Sequence, residues 1–119
     1  MKKTLVLGAS LKTDRYSNFA MHSLVENGHE VIGVGLRKGE VAGASILTGQ
    51  PMIEHIDTVT LYLNANRQKE YYHYILSLQP KRVIFNPGTT NSDLEEILIT
   101  NGITFENSCT LVLLSTNQY

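Results

Sequence analysis

The sequence predicts an α/β protein in which a mostly parallel sheet of five strands lies between two layers of helices. Two observations support this prediction. Short apolar runs rich in valine, isoleucine and leucine alternate with segments of helical period, which is the pattern of βαβ units and a parallel sheet. Glycine, asparagine and proline follow these runs and mark the ends of the strands.

Length and composition are those of an ordinary globular domain. The chain has 119 residues, of which 42% are hydrophobic and 18% charged, and it predicts one domain over residues 1–119. Ten basic side chains nearly balance eleven acidic ones. We therefore expect neither a nucleic-acid nor a membrane partner, because both require clustered positive charge.

Cysteine content and hydropathy indicate the compartment. Cys109 is the only cysteine, so no disulfide forms within the chain and a reducing environment is expected. No apolar stretch approaches the roughly 20 residues that span a bilayer. A cytoplasmic location is therefore expected.

The first strand and helix are predicted from residues 4–28. Residues 4–7 form the first strand, which stops at Gly8. Ser17 or Asn18 is expected to cap the helix that follows, and Asn27-Gly28 ends it. The expected buried side of this helix contains Phe19, Ala20, Leu24 and Val25.

The middle of the chain predicts two further strands and a second helix. Residues 29–34 form the second strand, and a long irregular crossover with several glycines then extends to Pro51. Residues 58–63 form the third strand because they are rich in β-branched and aromatic side chains. Asn66 is a plausible cap for the next helix, which ends at Pro80.

The last part of the chain repeats the same order. Residues 82–85 form the fourth strand, and Ser92 and Glu95 have the spacing of a capping box at the start of a helix. Asn101-Gly102 ends that helix, and residues 103–106 form the fifth strand. With right-handed crossovers, the elements predict a Rossmann-like three-layer α/β/α domain.

Small residues and amides follow several of these strands. Ligands of a parallel sheet bind beyond the carboxyl ends of its strands. Gly8-Ala9-Ser10 follows the first strand, Asn64 the third and Pro87-Gly88-Thr89 the fourth. Small side chains let a backbone approach a phosphate, and Arg15 adds a charge-assisted contact. These loops predict a site for a small-molecule nucleotide.

The residues after the second strand indicate the kind of nucleotide. Of the three glycines in the dinucleotide fingerprint Gly-x-Gly-x-x-Gly, only the first is present, as Gly8. After the second strand, no acidic residue occupies the position that would bind a ribose 2′-hydroxyl. Arg37 and Lys38 are there instead, either as solvated loop cations or as contacts to a phosphorylated ribose. NADP and coenzyme A both satisfy the second interpretation.

No arrangement typical of catalysis is found. The four histidines lack a metal-binding spacing, and there is no nucleophile elbow, carboxylate pair or reductase-type Tyr-x-x-x-Lys. Cys109 is the one reactive candidate, and an inert small side chain is the favoured interpretation. A non-catalytic role is favoured, and whether the protein is an enzyme stays open.

Four segments, in this order, carry a resemblance to a known family. They are Gly8-Ala9-Ser10, Asp14-Arg15-Tyr16-Ser17, the Gly-His-x-Val-x-x-Val run at 28–34, and Asn107-x-Cys109. The chain resembles the stand-alone CoA-binding domain proteins, which are similar to the N-terminal nucleotide-binding domain of the succinyl-CoA synthetase α subunit. The resemblance covers almost the whole chain. The chain departs from the family after the second strand, where Asn-Pro is common, and after Cys109, where proline or methionine and then glutamate are common.

The resemblance implies a coenzyme A site. It places Gly8, Ala9 and Ser10 on a CoA phosphate with Arg15, Tyr16 and Ser17 nearby, and Arg37 and Lys38 towards the adenosine. It places Asn64, Pro87, Gly88 and Thr89 along the pantetheine, with Cys109 near its end. The synthetase also needs a second domain with a phosphorylated histidine, so we expect no ligase activity from this chain.

The sequence thus favours a protein that binds coenzyme A or an acyl-CoA as a non-catalytic carrier, sensor or partner module. An NADP-binding, reductase-like protein is the first alternative. The second is an interaction module with a decayed nucleotide site, in which Tyr71, Tyr72 and Tyr74 form a partner surface or, equally, a buried helix face. A homodimer or an unidentified protein partner also stays open.

Overall fold

The computed structural model describes residues 1–119 and contains seven strands and five α-helices. The strands are β1 (Thr4–Ala9), β2 (Val31–Gly35), β3 (Gly39–Val41), β4 (Ala44–Leu47), β5 (Thr58–Leu61), β6 (Arg82–Phe85) and β7 (Thr104–Asn107). The helices are α1 (Tyr16–Glu26), α2 (Ala65–Gln68), α3 (Tyr72–Leu78), α4 (Ser92–Thr100) and α5 (Thr110–Ser115), with a 3₁₀ turn at Lys69–Tyr71.

All seven strands belong to one sheet, in the order β3-β4-β2-β1-β5-β6-β7. Every pair of neighbouring strands is parallel except β3 with β4. The chain leaves β1 towards β2 on one side and later returns to β5 on the other. The strand order therefore reverses between β1 and β5, which is where open α/β sheets bind ligands.

Helices cover both faces of the sheet. Side chains of β1 point alternately to the two faces, so that each face has apolar side chains to bury. Leu5 and Leu7 belong to a cluster of 13 buried residues that includes Ile75 of α3 and Leu98 of α4. Val6 belongs to a second cluster, of nine buried residues, with side chains of α1 and α5. The predicted three-layer, Rossmann-like α/β/α architecture is confirmed. None of the helices combines the length and the apolar character that crossing a membrane requires.

The predicted number of five strands is wrong, because the segment after β2 is not an irregular crossover. Val41 pairs with Ala44 in an antiparallel hairpin, and β4 then continues the sheet beside β2. Ala42 and Gly43 both have positive φ angles, 54° and 83°. Two such residues form the type I′ turn that suits a tight hairpin. Alanine rarely adopts this conformation, so the turn has no clear sequence signal.

Three of the predicted helix caps are displaced, by one to three residues. Arg15, not Ser17 or Asn18, is the N-cap of α1, and it makes no side-chain capping bond. Asn91, not Ser92, caps α4 by accepting a hydrogen bond from the Leu94 amide. Arg15 has no side-chain acceptor with which to cap, so packing of α1 on the sheet sets where this helix begins. At α4, Asn91 and Ser92 are both chemically able to cap, and Asn91 occupies the N-cap position.

The remaining differences concern single residues and the tail. Asn64, not Asn66, caps α2 by accepting from the Arg67 amide at 3.0 Å. Phe19 is 44% exposed, whereas Met21 is fully buried on the inner side of α1. The tail after residue 109 forms α5, which packs against α1.

Candidate functional site

A cleft of about 1040 Å³ lies at the carboxyl ends of β1, β2, β5 and β6, at the reversal of strand order. Twelve of the thirteen predicted site residues line it: Gly8, Ala9, Ser10, Arg15, Tyr16, Ser17, Arg37, Asn64, Pro87, Gly88, Thr89 and Cys109. Lys38 does not line the cleft and is exposed. The fold therefore brings together residues from five separate loops.

Ten further residues line the cleft and were not predicted. They are Leu11, Lys12, Val34, Leu36, Tyr62, Leu63, Arg67, Tyr71, Asn86 and Leu111. Many of them directly precede or follow a predicted site residue. Extending each predicted loop by one or two residues at the end of its strand would therefore have found them. Arg67 and Tyr71 had no such signal, because they lie beyond the loop on the helical segment after β5.

Gly8 is required by the close approach of β1 and β5. Its φ angle is +96°, a left-handed conformation that side chains other than glycine rarely adopt. A Cβ atom at this position would lie 3.0 Å from the backbone carbonyl carbon of Tyr62 and 3.1 Å from Cδ2 of Leu63. The glycine thus lets the floor of the cleft form, whatever ligand it holds.

The loop between β1 and α1, residues 10–15, is held by a buried amide. The Asn18 side chain is 3% exposed and donates a hydrogen bond of 2.9 Å to the Ser10 carbonyl. The Lys12 amide donates to Ser10 Oγ at 3.1 Å. We refer to residues 10–15 as the β1 loop. Both bonds hold the start of this loop at Ser10.

Every charged side chain that lines the cleft is a cation. These residues are Lys12, Arg15, Arg37 and Arg67. Of these four, only Arg15 has a carboxylate oxygen within 4.0 Å, Asp14 Oδ1 at 4.0 Å, and that aspartate is 87% exposed. No aspartate or glutamate lines the cleft. The site is therefore electropositive and suited to a ligand with several negative charges.

Asn86 connects three elements at the floor of the cleft. It is 2% exposed, and its Nδ2 donates to Thr60 Oγ1 at 2.6 Å and to the Leu61 carbonyl at 2.9 Å. Its Oδ1 accepts from the Thr110 amide at 2.9 Å. These bonds place the half-buried Cys109, the N-cap of α5, at the wall of the cleft.

Gln68 connects the loops after β5 and β6. It is fully buried, and its Nε2 donates to the carbonyls of Leu63 and Thr89, both at 2.8 Å. Its Oε1 accepts from Asn91 Nδ2 at 2.9 Å. Sequence reasoning missed Gln68 because a polar side chain on a short helix is usually exposed.

Two tyrosines of the cleft wall, Tyr62 and Tyr71, have raised pKa values and stay neutral at ordinary pH. Burial raises the pKa of Tyr62 above its usual range, against the smaller opposing effect of the Thr110 hydroxyl. Burial, assisted by the nearby Glu70 carboxylate, also raises the pKa of Tyr71. Neither residue is a base near pH 7. No three His, Cys, Asp or Glu side chains come together as a metal site would require.

The fold and this cleft define the class of the protein: a Rossmann-like α/β/α domain with a cationic ligand site at the reversal of its sheet. Residues 2–115 match the CoA binding domain family, and the chain belongs to this family. The family resemblance inferred from the sequence is thereby confirmed. Comparison with the curated proteins finds no match.

Solved structures share the whole fold. An uncharacterised protein is 56% identical, with a TM-score of 0.96 over 100% of this chain and 98% of that one. A hypothetical protein from Pyrococcus horikoshii OT3 is 26% identical, with a TM-score of 0.87 over 97% of this chain and 82% of that one. A Thermus thermophilus protein at 21% identity, with a TM-score of 0.88 over 99% and 90% of the two chains, shows the fold alone.

Proposed function

We propose that the protein binds coenzyme A or an acyl-CoA in the cleft, as a non-catalytic carrier, sensor or partner module. The observation that carries the proposal is the charge of the cleft, which four cations and no carboxylate line. Coenzyme A has a pyrophosphate and a 3′-phosphate at one end and an uncharged pantetheine at the other. The cations and small residues of the cleft suit the charged phosphate end, and its amide and apolar groups suit the uncharged pantetheine.

The pyrophosphate is assigned to the β1 loop and the start of α1. The N-cap Arg15 leaves the first amides of α1 without a side-chain cap, and no acidic residue lies in the first turn. Tyr16 and Ser17, at this helix start, both line the cleft. Uncapped amides at a helix N-terminus bind anions, and the Arg15 guanidinium adds charge.

The pantetheine is assigned to the part of the cleft formed by Asn64 and the Pro87-Gly88-Thr89 turn. Tyr62, Leu63 and Tyr71 supply apolar surface there. The hydrogen bonds from the Gln68 amide to the Leu63 and Thr89 carbonyls keep both loops in place. The thiol or thioester end then lies towards Cys109, for which no reaction is proposed.

Two observations weigh against the interaction-module alternative. Tyr74 is 4% exposed and donates to the Pro51 carbonyl at 2.6 Å. The Tyr72 hydroxyl accepts from Asn91 Nδ2 at 2.8 Å. These tyrosines pack within the protein, in agreement with a buried helix face.

Calorimetric titration of ligand-free protein with coenzyme A, dephospho-CoA, NADP and NAD tests the proposal. We expect a micromolar dissociation constant for coenzyme A, on the order of −8 kcal/mol. Binding should be weaker for dephospho-CoA and absent for both dinucleotides. Tight binding of NADP alone would favour the reductase-like alternative. No heat from any of the four would overturn a nucleotide site and favour an interaction module.

A further inference from the structure

One buried strip on a face of the sheet is polar instead of apolar. Its members are Thr4 of β1, Thr58 and Thr60 of β5, Arg82 of β6, and Tyr62 and Asn86, which follow β5 and β6. The three threonines are fully buried and Asn86 is 2% exposed. The strand residues between them, such as Val59 and Val83, belong to the apolar cluster on the opposite face. We call this set of residues the polar strip.

Residues 110–119, which we call the α5 segment, cover the polar strip. At the cleft, the Thr110 amide donates to Asn86 Oδ1 at 2.9 Å, and Thr110 Oγ1 lies 2.8 Å from Thr60 Oγ1. Leu114 is the one buried apolar side chain of the segment. A helix of only six residues has little stability of its own. The segment therefore depends on its polar contacts with the sheet.

The opposite end of the α5 segment is anchored by Tyr119. Its hydroxyl lies 2.6 Å from Thr4 Oγ1, and the Lys2 ammonium donates to its backbone oxygen at 2.5 Å. The guanidinium carbon of Arg82 lies 4.4 Å from the centre of its ring. The segment thus extends from the cleft to the far end of the sheet and is held mainly at its two ends.

The polar strip contains both buried polar side-chain atoms of the protein that lack a hydrogen-bond partner, Tyr62 Oη and Arg82 Nη2. The hydroxyls of Thr60 and Thr110 lie near enough to Tyr62 to limit the rise in its pKa, but they bond to each other. An unpartnered polar group that is buried costs free energy, which it regains when water reaches it. The closed position of the α5 segment is therefore destabilised at the surface that the segment covers.

We propose that the α5 segment is a strap that opens as one unit from the polar strip while the rest of the sheet stays folded. Opening hydrates Tyr62 Oη and Arg82 Nη2 and removes only Leu114 from the core, so it costs less than unfolding a central strand. Leu111 of this segment and the preceding Cys109 line the cleft. A ligand in the cleft therefore favours the closed strap. This link to a ligand, but not the opening itself, rests on the proposed binding of coenzyme A.

Amide hydrogen exchange of the ligand-free protein, measured residue by residue with NMR, tests the opening. The Thr110 amide lies at one end of the segment, and the Gln118 amide, bonded to the Leu113 carbonyl at 2.7 Å, lies at the other. Both should have similar protection factors, about a hundredfold or more below those of β5. A Thr110 amide as well protected as β5, beside fast exchange at Gln118, would show fraying alone and would overturn the strap.

Tyr62→Phe should hold the strap closed. It removes the unpartnered hydroxyl but keeps the ring, so the protection factors of the α5 segment should rise about fivefold or more. Tyr74→Phe is the matched control, because Tyr74 is also buried but its hydroxyl donates to the Pro51 carbonyl at 2.6 Å. This control should lower the stability to urea and leave the protection of the α5 segment as it is. Unchanged or lower protection of the segment in Tyr62→Phe would contradict the proposal.

Tyr119→Ala should have the opposite effect, because it removes the anchor at the far end. The protection factors of the α5 segment should fall about tenfold or more, while those of β5 change less. An equal fall in β5 and in the segment would mean that the segment unfolds only with the whole protein, against the proposal. If Tyr119→Ala does not fold, the result for Tyr62→Phe decides.

Saturating coenzyme A should raise the protection of the Thr110 amide in the wild-type protein. Coenzyme A that binds without this effect would overturn the link between the strap and the cleft. Wild-type protein that binds no coenzyme A would instead refute the proposed function, and exchange in the ligand-free protein would still decide whether the strap opens.

Discussion

The side-chain amide of Asn18, buried on α1, donates a hydrogen bond of 2.9 Å to the backbone carbonyl of Ser10 at the edge of the cleft. A residue that touches no ligand thus holds the loop that is proposed to receive the pyrophosphate. Preorganised loops of this kind cost little to order on binding.

Asn18→Leu should destabilise the protein and weaken the binding of coenzyme A. The substitution removes the donor and leaves the Ser10 carbonyl without its partner, at a cost of about 1–3 kcal/mol. Urea unfolding and calorimetry measure the two effects. Asn27→Ala is the control, since the Asn27 amide makes a similar bond to the Ser23 carbonyl on an exposed part of α1. Equal losses in both variants would contradict a specific role for Asn18.

Arg37→Ala should weaken coenzyme A more than dephospho-CoA, and Lys38→Ala should do so much less. Arg37 lines the cleft whereas Lys38 does not. A charge-assisted bond to the 3′-phosphate corresponds to about 1.5–3 kcal/mol. In the wild-type protein, the ratio of the affinities for coenzyme A and dephospho-CoA should also decrease as added salt screens these charges. Equal losses for the two ligands in Arg37→Ala would remove the 3′-phosphate assignment.

Gln68→Leu should be one of the more destabilising single substitutions in the cleft wall. It removes the donor that the carbonyls of Leu63 and Thr89 share, and it leaves the Asn91 amide with the Tyr72 hydroxyl as its remaining acceptor. We expect a loss of about 2–4 kcal/mol in the free energy of unfolding. Gln50→Leu removes a single exposed bond to the Glu70 carbonyl and serves as the control. A loss no larger than that of Gln50→Leu would show that the Gln68 bonds do not hold the loops together.

The stability of the protein should decrease in mild acid through His29, which lies at the opposite end of the sheet. Burial, followed by the nearby N-terminal amino group and Lys2, lowers the pKa of His29 below its usual 6.5. Its neutral Nδ1 accepts from the Lys2 amide at 2.9 Å. Because the folded pKa is the lower one, this contribution is complete above pH 6.5 and is lost as the pH falls through the folded pKa.

Urea unfolding between pH 5 and pH 8, a range of about three units around the ordinary histidine pKa, measures this dependence. His29→Gln should flatten the stability curve in this range. The control His22→Gln replaces an exposed histidine of α1 and separates the effect of losing His29 from that of a histidine-to-glutamine change as such. A slope that His29→Gln does not reduce would contradict the prediction.

Local patterns were sufficient for the layer order and the position of the cleft. The apolar run at residues 4–7 and the glycine after it specify a central strand and its end, because a strand covered on both faces needs apolar side chains throughout. The same reasoning located β5 and β6, and with them the loops that carry Asn64 and Pro87. What these loops bind remains a prediction.

Periodicity and strand-end residues are local properties, so the sequence was sufficient to predict the class of fold. Four short segments carried the resemblance to the family, and the loops after the strands predicted the end of the sheet where a ligand would bind. Tertiary structure alone decided which polar side chains became buried, as for Asn18 and Gln68, since each needs partners distant in sequence. It also decided that the chain turns at Ala42 to form a hairpin, and that Arg37 lines the cleft whereas Lys38 does not. Those features follow from how the loops pack on one another, and no short stretch of the chain encodes that packing.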